Sequence, residues 1–212
     1  NKQLYVATNQ KLIRLNYQTN SFETVVNGNI SLLTSDEDGT IWLVRDGKFE
    51  SFNPDKLPDI NNYPSISPLY ISALICGKEY IYIASTGKLY RIHKKTGQYS
   101  LFSVVGDENH IVKDVIEYKE SVYVLTHMDG LYKCDTNGKV IKQYNLSSGR
   151  NKSAIAKKLY IDSSNILWIA TQSGLFLLEP STEEIRLLQS NLHYTYSLPN
   201  NSVWSIFPDP DG

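Results

Sequence analysis

Short apolar runs separated by polar turns fill this chain from end to end. The clearest example is a polar turn at Asp162-Ser163-Ser164-Asn165, an apolar run Ile166-Leu167-Trp168-Ile169-Ala170-Thr171, a Gly turn, and a second run Leu175-Phe176-Leu177-Leu178-Glu179 ending at Pro180. Runs of this length bounded by turn residues predict strands. Setting an apolar-aromatic-apolar triplet in register brings out five copies: Leu4-Tyr5-Val6, Ile41-Trp42-Leu43, Ile81-Tyr82-Ile83, Val122-Tyr123-Val124 and Leu167-Trp168-Ile169. Their central aromatics lie 37, 40, 41 and 45 residues apart. Three positions further on, four copies carry a hydroxyl (Thr8, Ser85, Thr126, Thr171), and the second copy has Arg45 instead. A second run then begins at Leu12, Phe49, Leu89, Leu131 and Leu175. In four copies Gly47, Gly87, Gly130 or Gly174 precedes it, where a tight hairpin needs a positive φ.

A polar turn and a further run follow in four copies, as in Lys94-Lys95-Thr96-Gly97 before Tyr99-Ser100-Leu101-Phe102. An apolar run and a turn precede the triplet, as in Ile30 to Thr34 before Asp36-Glu37-Asp38-Gly39. Four short strands in a unit of about forty residues are the pattern of a propeller blade. No long window carries helical spacing, so the expected fold class is all-β, a β-propeller, over a single region 1–212. The blades fall at about 1–27 (lacking its first strand), 28–68, 69–108, 109–150 and 151–190, with a lone strand at 201–208 that opens another blade or closes a ring. The second blade should have a weak or displaced fourth strand within the Pro-rich stretch Asn53–Pro68. Both chain ends fall inside a repeat, which favours an arc of a larger, seven-bladed type over a closed five-bladed ring. Open strand edges in such an arc favour self-association as a dimer.

Composition narrows the partners. Twenty-one basic against twenty-two acidic residues give a formal net charge of −1, which leaves no electrostatic footprint for nucleic acid or an anionic membrane. No run approaches the roughly 18 apolar residues of a spanning helix, so a membrane would be reached only through parts of a parent chain outside these residues. Cys76 and Cys134 lie in different blades and read as buried thiols. The four histidines, His93, His110, His127 and His193, show no metal-ligand pairing. No cofactor or metal is expected.

Candidate chemistry is sparse. Trp42, Trp168 and Trp204 could be sugar platforms, but each occupies a mid-strand repeat position and reads as inter-blade packing. Ser35-x-Glu37-x-Gly39-x-x-Trp42 approaches a structural turn motif of sialidase-like propellers, with Glu37 in the acidic place. No convergent pair of carboxylates stands out, so no catalytic residue is assigned. In a four-stranded meander the loop between the second and third strands shares a face with the inter-blade connector. That face gathers Arg45, His127, Gln172, Tyr194 and Tyr196, whose donors and aromatics suit a polyhydroxylated ligand. Arg45 is the foremost candidate, because it replaces the hydroxyl of the other blades.

At Asn201-Ser202-Val203-Trp204-Ser205-Ile206, at Asp209-Pro210-Asp211-Gly212, and at Leu167-Trp168-Ile169-Ala170-Thr171 followed by Gly174-Leu175, the sequence resembles two-component-regulator propeller repeats. Tyr196-Ser197-Leu198-Pro199-Asn200-Asn201 is similar to the linker between such blades. The last sixty or so residues carry the resemblance most closely; Ala170 departs from the usual Gly, and the earlier blades match loosely. The resemblance implies the periplasmic sensor region of a hybrid two-component histidine kinase of Bacteroidetes, anchored in the inner membrane and responsive to oligosaccharides. The expected function is a non-catalytic sensing propeller with an oligosaccharide ligand. A polysaccharide-active lyase or glycosidase and a protein-interaction scaffold are the alternatives.

Overall fold

In a computed structural model, residues 3–56, 60–63, 71–85, 87–105, 110–147, 154–207 and 209 are described. Packing divides the chain into two compact units, 1–76 and 77–212. The first holds a sheet of β1 (Tyr5–Ala7), β2 (Lys11–Asn16) and β3 (Ser21–Asn27) in that order. Beside it in sequence is a sheet of β4 (Ile30–Ser35), β5 (Ile41–Arg45), β6 (Lys48–Phe52) and β7 (Ile60–Asn62), also in sequential order. The fourth strand of the second blade is therefore present, three residues long, inside the Pro-rich stretch. A 3-10 turn at Pro54–Lys56 leads toward it, and residues 57–59 and 64–68 of that stretch lie outside the described residues. The unit ends with β8 (Ala73–Cys76), the strand that opens the third repeat.

The second unit continues that repeat with β9 (Tyr80–Ser85), β10 (Lys88–His93) and β11 (Tyr99–Val104), paired antiparallel in turn. Two complete meanders follow. One is β12 (Val112–Tyr118), β13 (Ser121–Thr126), β14 (Leu131–Asp135) and β15 (Val140–Tyr144). The other is β16 (Ala156–Ile161), β17 (Leu167–Thr171), β18 (Gly174–Glu179) and β19 (Glu184–Leu188). In the four four-stranded sheets the triplets fall on the second strand, as their register predicts, and in the three-stranded first sheet the triplet falls at the edge strand β1. β5, β9, β13 and β17 are largely buried on both faces, so they read as continuous apolar runs rather than alternating ones, whereas β1 is largely exposed.

The core lies between neighbouring blades. Leu12 and Val26 of the first sheet pack with Ile30, Ile41, Leu43 and Phe52 of the second. In the second unit Tyr123, Leu125, Leu131 and Tyr144 of one sheet meet Ala156, Leu159, Leu167 and Ile169 of the next. The first strands of the second, fourth and fifth sheets each shift register near their start, between Ile30 and Leu32, Val112 and Asp114, and Ala156 and Lys158. A bulge there bends each first strand, and the Ile30 and Ala156 amides donate to the Thr8 and His127 carbonyls of the preceding blade. Cys134 is buried, Cys76 is partly buried, and both thiols are unbridged.

The run Ser202–Phe207 departs from expectation, since it forms no strand. The Val203 amide nevertheless donates to the Thr171 carbonyl at 2.8 Å, as the Ile30 amide of β4 donates to the Thr8 carbonyl at 3.0 Å. The segment thus begins where a first strand begins, but among the described residues it has no ladder partner. Trp204 is accordingly not mid-strand: it is 67 % exposed, with the Lys157 ammonium 4.3 Å from its ring centre.

Candidate functional site

The hydroxyl that recurs three residues after each aromatic is a loop device. Thr126 Oγ1 donates to the Gly130 carbonyl at 2.9 Å and accepts from the Asp129 amide at 3.1 Å. Thr171 Oγ1 donates to the Gly174 carbonyl at 2.7 Å and accepts from the Ser173 amide at 3.0 Å, and Thr8 bonds Lys11 likewise. A glutamine on or just after the outer strand reaches the same loops: Gln143 Nε2 donates to the Asp129 carbonyl at 2.8 Å and Gln189 Nε2 to the Ser173 carbonyl at 2.9 Å. These bonds brace each loop from within, through side chains that take up its backbone amides and carbonyls.

Arg45 has exchanged the hydroxyl for a charge pair. Its Nε and Nη2 donate to the two carboxylate oxygens of Glu50 at 2.7 and 3.0 Å, and Nη1 donates to the Asn27 carbonyl at 3.2 Å. Glu50 is 3 % exposed, so the fork is what makes its burial tolerable. Three bonds inside the first unit thus account for the guanidinium.

The other four predicted residues belong to the second unit. His127 and Gln172 flank one short stretch, because the Ala156 amide donates to the His127 carbonyl at 2.9 Å and the Gln172 amide donates to the Ile155 carbonyl at 3.0 Å. His127 Nδ1 is buried without a hydrogen-bond partner. Burial, then the Lys113 and Lys157 ammoniums, push its pKa down from the ordinary 6.5, which favours the neutral ring. Tyr194 and Tyr196 stand on the connector after β19 and are open to solvent. That connector is braced from within: Ser197 Oγ accepts from the Asn191 amide at 3.0 Å, and Asn201 Oδ1 accepts from the Ser190 amide at 2.6 Å. It returns the chain to Val203, beside Thr171 and Gln172.

The tryptophans of the triplets are anchored rather than displayed. Trp42 Nε1 donates to Asp36 Oδ2 at 3.0 Å, and Trp168 Nε1 donates to Asp162 Oδ2 at 2.7 Å. The other carboxylate oxygen takes the amide of Thr40 or Ile166. The acidic member of the turn motif is therefore Asp36, one place before the expected Glu37, which is exposed. Burial opposes ionisation of Asp162, yet the bonds from Trp168 and the Ile166 and Ser164 amides outweigh it and hold the carboxyl below its usual range.

The opposite turn face of the second unit carries a groove of about 400 Å3 between the third and fourth blades. Its floor is Tyr82, 1 % exposed, whose hydroxyl donates to Glu117 Oε1 at 2.9 Å. Glu117 Oε2 accepts from the Lys78 amide at 2.7 Å. Burial, reinforced by Glu117, pushes the Tyr82 phenol far above its ordinary value, so the hydroxyl stays a donor. Gly77 permits this approach: a Cβ there would lie 2.5 Å from Glu117 Oε1. Arg91 forms one wall. Its guanidinium lies 4.5 Å from the centre of the Tyr80 ring and 4.9 Å from that of Phe102, and Nη1 donates to the Thr136 carbonyl at 2.9 Å. Lys78 and Lys119 also line the groove. Its lining comes from four strands and three turns of adjoining blades, so sequence spacing does not group it.

Five antiparallel meanders repeating at blade length define a β-propeller fold. Solved structures with the same fold include the extracellular domain of the hybrid two component system BT4673 from B. thetaiotaomicron, at TM-score 0.76 and 19 % identity over 99 % of this chain. The corresponding domain of BT3049 from the same organism aligns at TM-score 0.70 and 20 % identity over 98 %. The WD40 β-propeller domain of Doa1 aligns at TM-score 0.64 and 13 % identity over 91 %, covering 66 % of that chain. The chain spans 29 % of the length of each of the two B. thetaiotaomicron domains. No protein-family model and no curated protein matches the sequence.

Proposed function

We propose that this chain is a non-catalytic, extracytoplasmic sensing propeller of a two-component signalling receptor, facing the periplasm and held at the inner membrane by other parts of that receptor. The observation that carries this reading is the alignment of the same five-blade course, over 99 and 98 % of the chain, with extracellular domains of hybrid two component systems. The ligand in this reading is an oligosaccharide taken at the loop face of the second unit. Exposed Tyr194 and Tyr196 offer ring faces, Gln172 an amide, and His127 a neutral ring held beside it. Arg45 stands apart from this set, because its donors serve Glu50. Open apolar side chains at Leu192, Trp204 and Phe207 support self-association as a dimer.

Calorimetric titration with a panel of plant and host oligosaccharides, with product analysis of each mixture, tests the reading. At least one should bind and be recovered uncleaved. Tyr194→Ala or Tyr196→Ala should weaken it by about tenfold, the scale of one lost aromatic contact. Cleavage of the ligand, or no binding by any member, contradicts the proposal.

A further inference from the structure

The groove between the third and fourth blades has the parts of a small-ligand site on the face away from the loops discussed above. At about 400 Å3 it falls within the range of small-molecule pockets. Its chemistry is specific. The Arg91 guanidinium lies against the rings of both Tyr80 and Phe102, and its position is fixed by the Thr136 carbonyl. That carbonyl is itself fixed: Asp135 Oδ1 accepts the Asn137 and Lys139 amides at 2.9 Å each and pins the turn. Among the described residues Arg91 makes no ion pair, and the bond to Thr136 is its one hydrogen bond. Its remaining N–H donors form a planar fork that has lost its rotational freedom before any ligand arrives.

The charges around the fork divide unequally. Lys78 and Lys119 add two ammoniums to the lining, and neither forms an ion pair among the described residues. Glu117 opposes them, but both its oxygens already accept bonds, from Tyr82 and from the Lys78 amide. Glu79 is the one remaining carboxylate of the lining. Ser121 and Asn137 complete the wall with neutral donors and acceptors.

We propose that this groove binds a compact sugar acid, with its carboxylate on the Arg91 fork between Lys78 and Lys119 and its hydroxyls on Glu79, Ser121 and Asn137. The fork sets the carboxylate, the ammoniums raise its local concentration, and the carboxylate of Glu79 excludes ligands carrying a second charge at the hydroxyl end. The site does not depend on the sensing reading, since it lies on the opposite face and shares no residue with the loop set.

The test is NMR or calorimetric titration of the 212-residue chain with glucuronate, with glucose as the uncharged counterpart and inorganic sulfate as the bare anion. Glucuronate should bind and glucose should not, and sulfate should bind more weakly than glucuronate. Arg91→Gln should lower glucuronate affinity about 10- to 100-fold, the range of a lost charge-assisted pair. Because Arg91 also packs on two rings, Lys119→Ala and Lys78→Ala, at exposed positions, carry the same test without that liability and should each lower affinity severalfold. Equal binding of glucose and glucuronate overturns the proposal. So does sulfate binding as tightly as glucuronate, or affinity unchanged in all three variants.

Discussion

At the scale of single residues, Arg45 and Glu50 show two positions of one repeat changing together. In the other blades the first position is a hydroxyl and the second is Ile13, Tyr90, Tyr132 or Phe176. Only the second blade replaces a hydroxyl and an apolar residue with a cation and an anion, and there the two meet at 2.7 Å. Removing one partner leaves the other charged and buried, so Arg45→Ala should cost about 3–5 kcal/mol in chemical denaturation. The double change Arg45→Thr with Glu50→Phe restores the pattern of the other blades and should recover most of that loss; recovery of less than half would show that the pair does more than replace them. Glu183 is a second such residue. Its carboxylate joins Lys133 at 2.8 Å and Lys142 at 2.6 Å, linking the fourth and fifth blades. Those two bonds lower its pKa from the ordinary 4.5 to about 2. A carboxyl with a depressed folded pKa stabilises above its unfolded value and loses that contribution as pH falls. Stability should therefore decline between pH 4.5 and 2, and Glu183→Gln should flatten that slope in acid melts. His127 acts in a separate window. Its folded pKa is lowered, so stability is complete above the ordinary 6.5 and falls as pH drops below it.

At the scale of elements, the turns do more than reverse the chain. The turn from β14 to β15 passes so close to β11 that a Cβ on Gly138 would sit 1.7 Å from the Phe102 carbonyl oxygen, at a φ of +88°. Gly138→Ala should therefore destabilise by about 3 kcal/mol, through both backbone strain and overpacking, in thermal or urea unfolding. A change below about 1 kcal/mol would mean that the blades separate there at little cost. The strands themselves were legible because each triplet supplies an aromatic at a spacing of 37 to 45 residues, and the flanking Asp/Gly and Lys/Gly turns punctuate it. What escaped was pairing that depends on depth. β7 is only three residues long in a stretch whose composition argues against strand, and it forms because β6 presents an open ladder edge. Ser202–Phe207 has strand composition but, among the described residues, no ladder partner, and composition alone does not make a strand.

At the scale of the molecule, the propeller fold was readable from period and register, while the sites were not. The loop face could be anticipated from topology, since second-to-third loops and connectors share an end of every blade. It could not be anticipated that Arg45 would turn inward, because its partner Glu50 is visible only once the hairpin is closed. The Arg91 groove was invisible for the same reason, as its walls come from different blades. Recognition without chemistry is the property proposed for this chain. The most direct measurement is calorimetric titration of the chain with oligosaccharides, followed by chromatographic analysis of every sugar in the cell. Saturable binding with each ligand recovered intact is the result predicted. A sugar that is consumed, or a panel that leaves the calorimeter silent, contradicts it.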